Sequence, residues 1–288
     1  MSSSLTVRTL GSMTCSSDRS AAFASPVCGY PDAPEVATLL ELQSPEAQVR
    51  GRLTRLPLIA IIRQPDPALA VHLADLTVQA GIIHIEITTQ VQDFAEVIQQ
   101  LRRQYAQAWI GAGTVLQDQQ AQAALQAGAQ FLVSPLLLPS VIHLAQEANT
   151  VVIAGALTPQ EIWAAFQAGA TAVKVFPVES MGGAAYLRRL CKPLGRLPLI
   201  PTGGVTLANG AEFLHSGALA IGVGGDLYPA ALIRAQQWPQ LQQHMQAGLR
   251  QLLADGSSSV EAMVESSENA HQCRQNQSRS GHDNRWWE

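Results

Sequence analysis

Short apolar runs alternate with amphipathic stretches of helical period through the middle of the chain. The apolar runs span residues 56–62, 82–87, 108–112, 130–134, 151–155, 171–176, 197–201 and 218–223. The stretches between them, such as "DPALAVHLADLTVQAG" (66–81), repeat apolar residues every three or four positions, and several begin with Asp, Ser or Thr and end with Gly. The pattern therefore predicts eight strands that alternate with helices.

A glycine that ends a helix recurs just before several of these apolar runs. Gly81, Gly128, Gly169 and Gly217 lie 41 to 48 residues apart, a spacing that corresponds to two strand–helix units. Eight parallel strands with right-handed crossovers favour a closed (β/α)₈ TIM barrel, with an open doubly wound sheet as the alternative. We expect an additional helix from about Pro34 to Leu53, before the first strand.

The two ends of the chain differ in composition from the middle. Residues 1–34 are rich in Ser, Pro and small residues, and residues 255–288 are polar and lack periodicity. Such segments bury too little apolar surface to fold, so we predict disordered tails on either side of a single barrel domain at residues 35–254. A transit-like role for the first tail and a docking role for Trp286 and Trp287 are the alternatives.

Composition excludes several classes of function. With 18 basic and 22 acidic residues the net charge is -4, so neither a nucleic-acid-binding surface nor a polybasic membrane patch is indicated. The four cysteines are far apart, and no metal-binding spacing of histidines or carboxylates is present. The sequence therefore predicts a cytoplasmic protein that binds a small molecule and needs no metal or other cofactor.

A lysine interrupts the sixth apolar run, "TAVKVF" (171–176). Catalytic groups of such barrels lie at the carboxyl ends of the strands, where Lys174 is expected. Removing an ammonium group from water favours the neutral amine, which can attack a ketone and form a Schiff base. The protonated Schiff base withdraws electrons and allows a nearby carbon–carbon bond to break. A salt bridge, or an ammonium group that reaches solvent, would also explain a lysine at this position.

A carboxylate occurs in the second apolar region, within "HIEIT" (84–88). Strand alternation places His84, Glu86 and Thr88 on one face, which we expect to line the barrel interior. Glu86 is then a candidate general acid/base that moves protons for Lys174. The alternative is a buried ion pair between Glu86 and Lys174 without a catalytic role.

Glycine-rich loops follow the seventh and eighth predicted strands. They read "PTGGVT" (201–206) and "GVGGD" (222–226). In (β/α)₈ barrels these loops commonly bind phosphate, because glycine lets backbone N–H groups approach an anion. Gly224 and Gly225 are therefore candidate phosphate contacts, although tight turns without a ligand have the same composition.

Five segments, taken together and in order, resemble the 2-keto-3-deoxy-6-phosphogluconate (KDPG)/4-hydroxy-2-oxoglutarate (KHG) aldolase family. They read "IEIT", "GAGTVL", "GAQFLVSP", "KVFPVES" and "PTGGV", and the resemblance covers roughly residues 50–235. It implies a lysine-dependent aldolase that cleaves KDPG to pyruvate and glyceraldehyde 3-phosphate. Cleavage of KHG to pyruvate and glyoxylate is a further implied activity, and a homotrimer is the implied assembly.

The resemblance also implies roles for individual residues. Lys174 matches the lysine that forms the Schiff base with pyruvate, and Glu86 matches the general acid/base. The implied substrate contacts are Thr114 at the carboxylate, Pro135 and Phe176 in the pyruvate pocket, and Thr202, Gly203 and Gly204 at the phosphate. Thr88, on the same strand face as Glu86, is a further candidate contact.

Departures from the family pattern concern binding of anions. Gln90 stands where many members have an arginine, and glutamine donates hydrogen bonds without supplying charge. Arg63, at the end of the first predicted strand, either supplies that missing cation or is an ordinary surface residue. Gly225 replaces a frequent serine, and Leu136 replaces a glycine. These departures concern the choice of substrate and leave Lys174 and Glu86 unaffected.

Two other functions compete with the aldolase interpretation. In another phosphate-binding barrel enzyme, such as an isomerase or synthase, Lys174 would act as an acid without forming an imine. In a barrel that only binds a keto acid or a protein partner, turnover would be absent.

Overall fold

The computed structural model describes residues 44–195 and 197–256 as strands that alternate with helices. The strands are β1 (Leu58–Ile62), β2 (His84–Thr88), β3 (Trp109–Gly113), β4 (Phe131–Val133), β5 (Val151–Ala156), β6 (Ala172–Val175), β7 (Leu199–Pro201) and β8 (Ile221–Val223). The helices are α1 (Pro45–Arg55), α2 (Pro67–Gln79), α3 (Phe94–Gln104), α4 (Asp118–Gln126), α5 (Pro139–Glu147), α6 (Pro159–Gln167), α7 (Gly183–Leu194), α8 (Gly210–His215), α9 (Ala230–Arg234) and α10 (238–256). All eight predicted strands are confirmed.

The strands form one parallel sheet that closes into a barrel. Each of β1 to β6 pairs with the next strand along the chain, and β8 pairs with β1. A parallel bridge between Thr202 and Gly222, and a 2.9 Å hydrogen bond from Leu219 N to Leu199 O, join β7 to β8. The predicted TIM barrel is therefore confirmed, and the open doubly wound sheet is excluded.

Strand alternation divides the buried residues into two apolar clusters. Outward-facing residues such as Ile62, Ile87 and Val173 pack beneath the surrounding helices. The inner cluster fills the barrel and consists of Val49, Leu53, Ile59, Trp109, Phe131, Val133, Val151, Ile153, Ala172, Ile200 and Ala220. Val49 and Leu53 of α1 and residues that begin strands, such as Trp109 and Phe131, contribute to this cluster, whereas the buried Glu86 and Lys174 lie nearer the carboxyl end of the barrel.

Helix α1 covers the amino-terminal end of the barrel with Val49 and Leu53. It begins at Pro45, where the side chain of Ser44 accepts a hydrogen bond from Ala47 N at 3.2 Å. It ends at Arg55, two residues beyond the predicted end, whereas the predicted residues 34–43 lie outside the described residues.

The predicted domain bounds stay predictions, because the first tail and residues 257–288 lie outside the described residues. Helix α10 continues to residue 256, two residues past the predicted end of the barrel. Within the described residues, none of the helices combines the length and the apolar character that a membrane-spanning segment needs.

Candidate active site

Lys174 on β6 and Glu86 on β2 face each other inside the barrel, near its carboxyl end. Nζ of Lys174 lies 3.6 Å from Oε1 of Glu86, and the two side chains are 4% and 2% exposed. His84, Glu86 and Thr88 are all buried, as expected if their common face points into the barrel. The two charged residues singled out in the sequence are therefore neighbours in space.

The geometry of this pair is unlike that of a purely structural salt bridge. A buried ion pair stabilises a fold only when hydrogen bonds replace the water that both groups lose. Oε1 of Glu86 has no hydrogen-bond partner among the described residues, and 3.6 Å is too long for a hydrogen bond to Nζ. Oε1 of Glu86 therefore keeps hydrogen-bonding capacity for a bound molecule.

The walls around Lys174 combine apolar surface with free polar atoms. The ring of Phe176 lies 5.7 Å from Nζ, and the half-buried Pro135 packs its backbone against Gly155, the β5 residue that pairs with Lys174. The buried hydroxyl of Thr88 has no hydrogen-bond partner within the described residues. An apolar wall with a few unsatisfied polar groups is typical of a small-molecule site.

Thr114 follows β3 in a left-handed conformation, with φ of 56°. This conformation is uncommon for a residue with a branched side chain and marks local strain. The hydroxyl of Thr89 donates a 2.8 Å hydrogen bond to the Thr114 carbonyl and so connects the loops after β2 and β3. Thr89 was not singled out in the sequence, where it reads as an ordinary turn residue.

The loop after β7 packs closely against the segment that follows Lys174. Thr202 is buried, and the α-carbon of Gly203 faces Phe176 and Pro177. A side chain at Gly204 would overlap the side chain of Glu179, in the turn after β6. Glycine is therefore required here for close packing, and Glu179 is a loop residue that the sequence analysis missed.

The loop after β8 is fixed by an acidic side chain. Oδ2 of Asp226 accepts a 2.8 Å hydrogen bond from Leu207 N, in the loop after β7. The carbonyl of Asp226 lies 2.7 Å from Nε2 of His244 on α10. Gly224 is half-buried, and Gly225 is exposed with open space around its α-carbon. The two glycine loops are thus held together, with a carboxylate between them.

Three candidate residues lie at the rim of the barrel rather than in its interior. Arg63, Gln90 and Leu136 are all exposed, at the ends of β1, β2 and β4. Within the part of the chain that the structure describes, no hydrogen bond or ion pair joins them to Lys174 or Glu86. Any contribution that they make to binding concerns parts of a substrate that extend out of the barrel.

Neutral and aromatic side chains lie below the pair, toward the amino-terminal end. Nδ1 of His84 lies 3.2 Å from the carbonyl of Leu58, and burial lowers the pKa of His84 to about 4, with a smaller contribution from the charge of Arg52. The ring of Trp109 packs edge-on to His84, at a centroid distance of 5.6 Å, and the Arg52 guanidinium lies 5.8 Å from the centre of the Trp109 ring. At neutral pH the His84 side chain beneath Glu86 is therefore uncharged.

The chain is similar to known aldolases. A family model described as KDPG and KHG aldolase matches residues 49–244. The chain is 37% identical to a 2-dehydro-3-deoxy-phosphogluconate aldolase of Treponema pallidum, over 66% of this chain and 89% of the relative. It is also 37% identical to a 2-dehydro-3-deoxy-6-phosphogalactonate aldolase of Escherichia coli, over 62% and 87%. The solved KDPG aldolase of Zymomonas mobilis with 3-phosphoglycerate is 26% identical, with a TM-score of 0.60 over 69% of this chain and 95% of that chain.

A closed parallel barrel that carries a buried lysine and carboxylate at its carboxyl end, together with these relatives, defines a class I aldolase, a lyase of carbon–carbon bonds. More particularly, the chain belongs to the KDPG and KHG aldolase family, which confirms the resemblance carried by its five segments.

Proposed function

We propose that the protein reversibly cleaves KDPG to pyruvate and glyceraldehyde 3-phosphate through a Schiff base on Lys174, with Glu86 as the general acid/base. The observation that carries this proposal is the buried pair itself, whose Nζ and Oε1 atoms lie 3.6 Å apart in a family of aldolases. The chain contains two lysines, and the other, Lys192, is exposed on α7.

The first half of the reaction attaches the substrate. The neutral amine of Lys174 adds to the C2 carbonyl and forms a carbinolamine, and the C2 oxygen then leaves as water with a proton from Glu86. The iminium ion that results is adjacent to C3 and can accept the electron pair of the C3–C4 bond.

The second half breaks the bond and regenerates the enzyme. The Glu86 carboxylate takes the proton of the C4 hydroxyl, the C3–C4 bond breaks, and its electrons pass to the iminium nitrogen as an enamine. Glyceraldehyde 3-phosphate departs as C4 becomes a carbonyl. Glu86 then protonates C3, and water hydrolyses the imine to release pyruvate and the free amine. One carboxylate serves all of these transfers, and the absence of a hydrogen-bond partner for its Oε1 atom among the described residues is consistent with that use.

The family resemblance and the positions of the remaining residues support further contacts to the substrate. In this proposal Thr114 and Thr88 hold the carboxylate end, and Phe176 and Pro135 enclose the methyl group of pyruvate. The phosphate contacts are Thr202, Gly203, Gly204, Gly224 and Gly225, in the loops after β7 and β8. Arg63 and Gln90 contact the part of the substrate that lies at the rim.

Two further substrates are candidates. The family includes KHG aldolases, so cleavage of KHG to pyruvate and glyoxylate is a second activity that Lys174 and Glu86 would support by the same steps. The relative named for 2-dehydro-3-deoxy-6-phosphogalactonate has the same 37% identity as the phosphogluconate aldolase relative. The C4 epimer of KDPG is therefore a substrate to test beside KDPG.

We also propose that the protein forms a homotrimer. Large apolar side chains are exposed on consecutive strand–helix units, namely Leu116, Leu136, Trp163 and Met181 at 42–55% exposure. Surface of this kind is typical of a protein interface. Light scattering after size-exclusion chromatography should give three chains per particle, and a monomer would contradict this proposal. The cytoplasmic location stays a prediction.

Borohydride trapping with pyruvate tests the proposed chemistry. The wild-type protein should give a reduced pyruvate adduct that peptide mass spectrometry places on Lys174. Lys192→Arg is the matched control and should keep the adduct and the turnover, whereas Lys174→Arg should lose both. If folded wild-type protein cleaves substrate but gives no adduct, Lys174 acts as an acid, as in the competing isomerase or synthase interpretation. Binding of pyruvate without adduct or turnover would instead indicate a binding protein.

A further inference from the structure

The carboxyl end of the Glu86 side chain rests directly on the α-carbon of Gly113. Gly113 is the last residue of β3, and it pairs with Thr88, two residues beyond Glu86. A Cβ built on Gly113 would overlap Oε1, Cδ and Cγ of Glu86, whereas the same addition at Gly51 would meet nothing within 4 Å. The space occupied by the carboxyl group is therefore the space that a side chain on Gly113 would fill.

Hydrogen bonds do not account for the position of the Oε1 atom. It has no hydrogen-bond partner among the described residues, and its charged neighbour, Nζ of Lys174, lies 3.6 Å away. Glu86 is 2% exposed, so bulk solvent does not hold the group either. Beside the attraction of Lys174, the shape of the cavity is what remains to orient this oxygen, and the bare α-carbon of Gly113 forms one side of that cavity.

We infer that Gly113 is a positioning residue for the reaction, because its missing side chain forms the slot that keeps the Glu86 carboxyl beside Lys174. The inference rests on the proposed role of Glu86 as the general acid/base. A methyl group at residue 113 would push the carboxyl group away from the amine and from the C2 and C4 oxygens of the substrate. Both proton transfers would slow, while the lysine itself would remain in place.

A double-mutant cycle of Gly113→Ala and Glu86→Ala separates this role from a general structural one. General acid/base catalysis contributes about 10²- to 10⁴-fold, so Gly113→Ala alone should lower kcat by roughly 10²-fold or more, with a smaller change in KM. In the Glu86→Ala background no carboxyl group is left to displace, so Gly113→Ala should change the residual kcat by less than about threefold. Gly51→Ala is the control and should keep wild-type turnover.

The outcomes distinguish the inference from the proposed function. If Glu86→Ala turns over like the wild type, the proposed role of Glu86 fails and the inference fails with it. If Glu86→Ala is impaired but Gly113→Ala is not, only the inference is overturned. An equal loss from Gly113→Ala in both backgrounds also overturns it, because the effect would then act through another group such as Thr114.

Circular dichroism and thermal unfolding of all variants show whether folding is affected. If Gly113→Ala alone does not fold, folding of the double variant supports the slot, because only the double variant lacks the displaced carboxyl group. Failure of both variants to fold overturns the inference.

Discussion

Acidification should destabilise the barrel through His84, which lies beneath the Glu86 carboxylate. Burial lowers the pKa of this histidine from an ordinary value of 6.5 to about 4, so the folded protein resists protonation that the unfolded chain accepts. Well above pH 6.5 the side chain is neutral in both the folded and the unfolded state, so its titration does not change the free energy of unfolding. As the pH falls from 6.5 to about 4, the unfolded state binds a proton that the folded state does not, and the free energy of unfolding decreases.

The size of the effect follows from the difference between the two pKa values. A difference of one pKa unit corresponds to 1.36 kcal/mol, so a fall from 6.5 to about 4 corresponds to about 3 kcal/mol at pH values below 4. This is a large part of the roughly 5–15 kcal/mol that stabilises a typical domain. The geometry supports the direction, because a charged imidazole would lie against Trp109 with Arg52 nearby.

Urea unfolding at a series of pH values, for the wild type and for His84→Asn, measures this contribution. The shorter amide can still donate a hydrogen bond toward the Leu58 carbonyl but does not titrate. Carboxylates titrate in both proteins, so the difference between the two pH profiles isolates the histidine. We expect the wild type to lose about 3 kcal/mol more than the variant between pH 7 and pH 4. Parallel profiles would refute the reasoning, and an NMR titration of His84 would then show an ordinary pKa.

Three further changes test binding and packing. Gln90→Arg adds a cation at the rim and should lower KM for phosphorylated substrates about fivefold more than for unphosphorylated ones. An unchanged preference would contradict the idea that residue 90 contributes to binding an anionic part of the substrate. Asp226→Asn keeps an acceptor for Leu207 N but removes a negative charge between the glycine loops, so KM for KDPG should fall about threefold at low salt. A rise in KM would show that this charge does not face the phosphate. Phe131→Ala removes a fully buried ring beside Trp109 and should lower the free energy of unfolding, measured with urea, by about 3–5 kcal/mol. A decrease of less than about 1 kcal/mol would mean that the core collapses around the cavity.

The closed barrel was predictable because local and long-range signals coincide in this chain. Each strand is a short apolar run, and each amphipathic stretch is long enough for a crossover between parallel strands. The neighbours of each strand then follow from right-handed connections of similar length. The start of α1 at Pro45 did not follow, because Val36, Leu39 and Leu40 already repeat at helical spacing before Ser44. Ser44 and Pro45 together mark the start, but a serine followed by proline is also common in turns.

The facing of Glu86 and Lys174 was predictable from strand alternation, whereas their separation was not. Periodicity fixes which face a side chain points to, but a distance across a barrel depends on strand tilt and on what fills the interior. Gly113, Gly155 and Glu179 were missed for a related reason. A glycine in a strand has no side chain that would suggest a role in the sequence. Its role becomes visible only when the structure shows which atoms occupy the space where a side chain would lie. Glu179 is exposed, and only the structure shows that its side chain packs against Gly204.

One compositional signal does point to Lys174 before any fold is known. Of the 18 basic residues, 16 are arginines and two are lysines. Arginine supplies a positive charge in a salt bridge or at a surface as well as lysine does, but its guanidinium does not lose its proton in proteins and cannot form an imine. This chain has arginine at almost every other basic position, yet has a lysine in a buried strand, and lysine is the basic side chain that can become a nucleophilic amine. Charge alone does not explain a lysine at residue 174, whereas the proposed Schiff-base chemistry requires one.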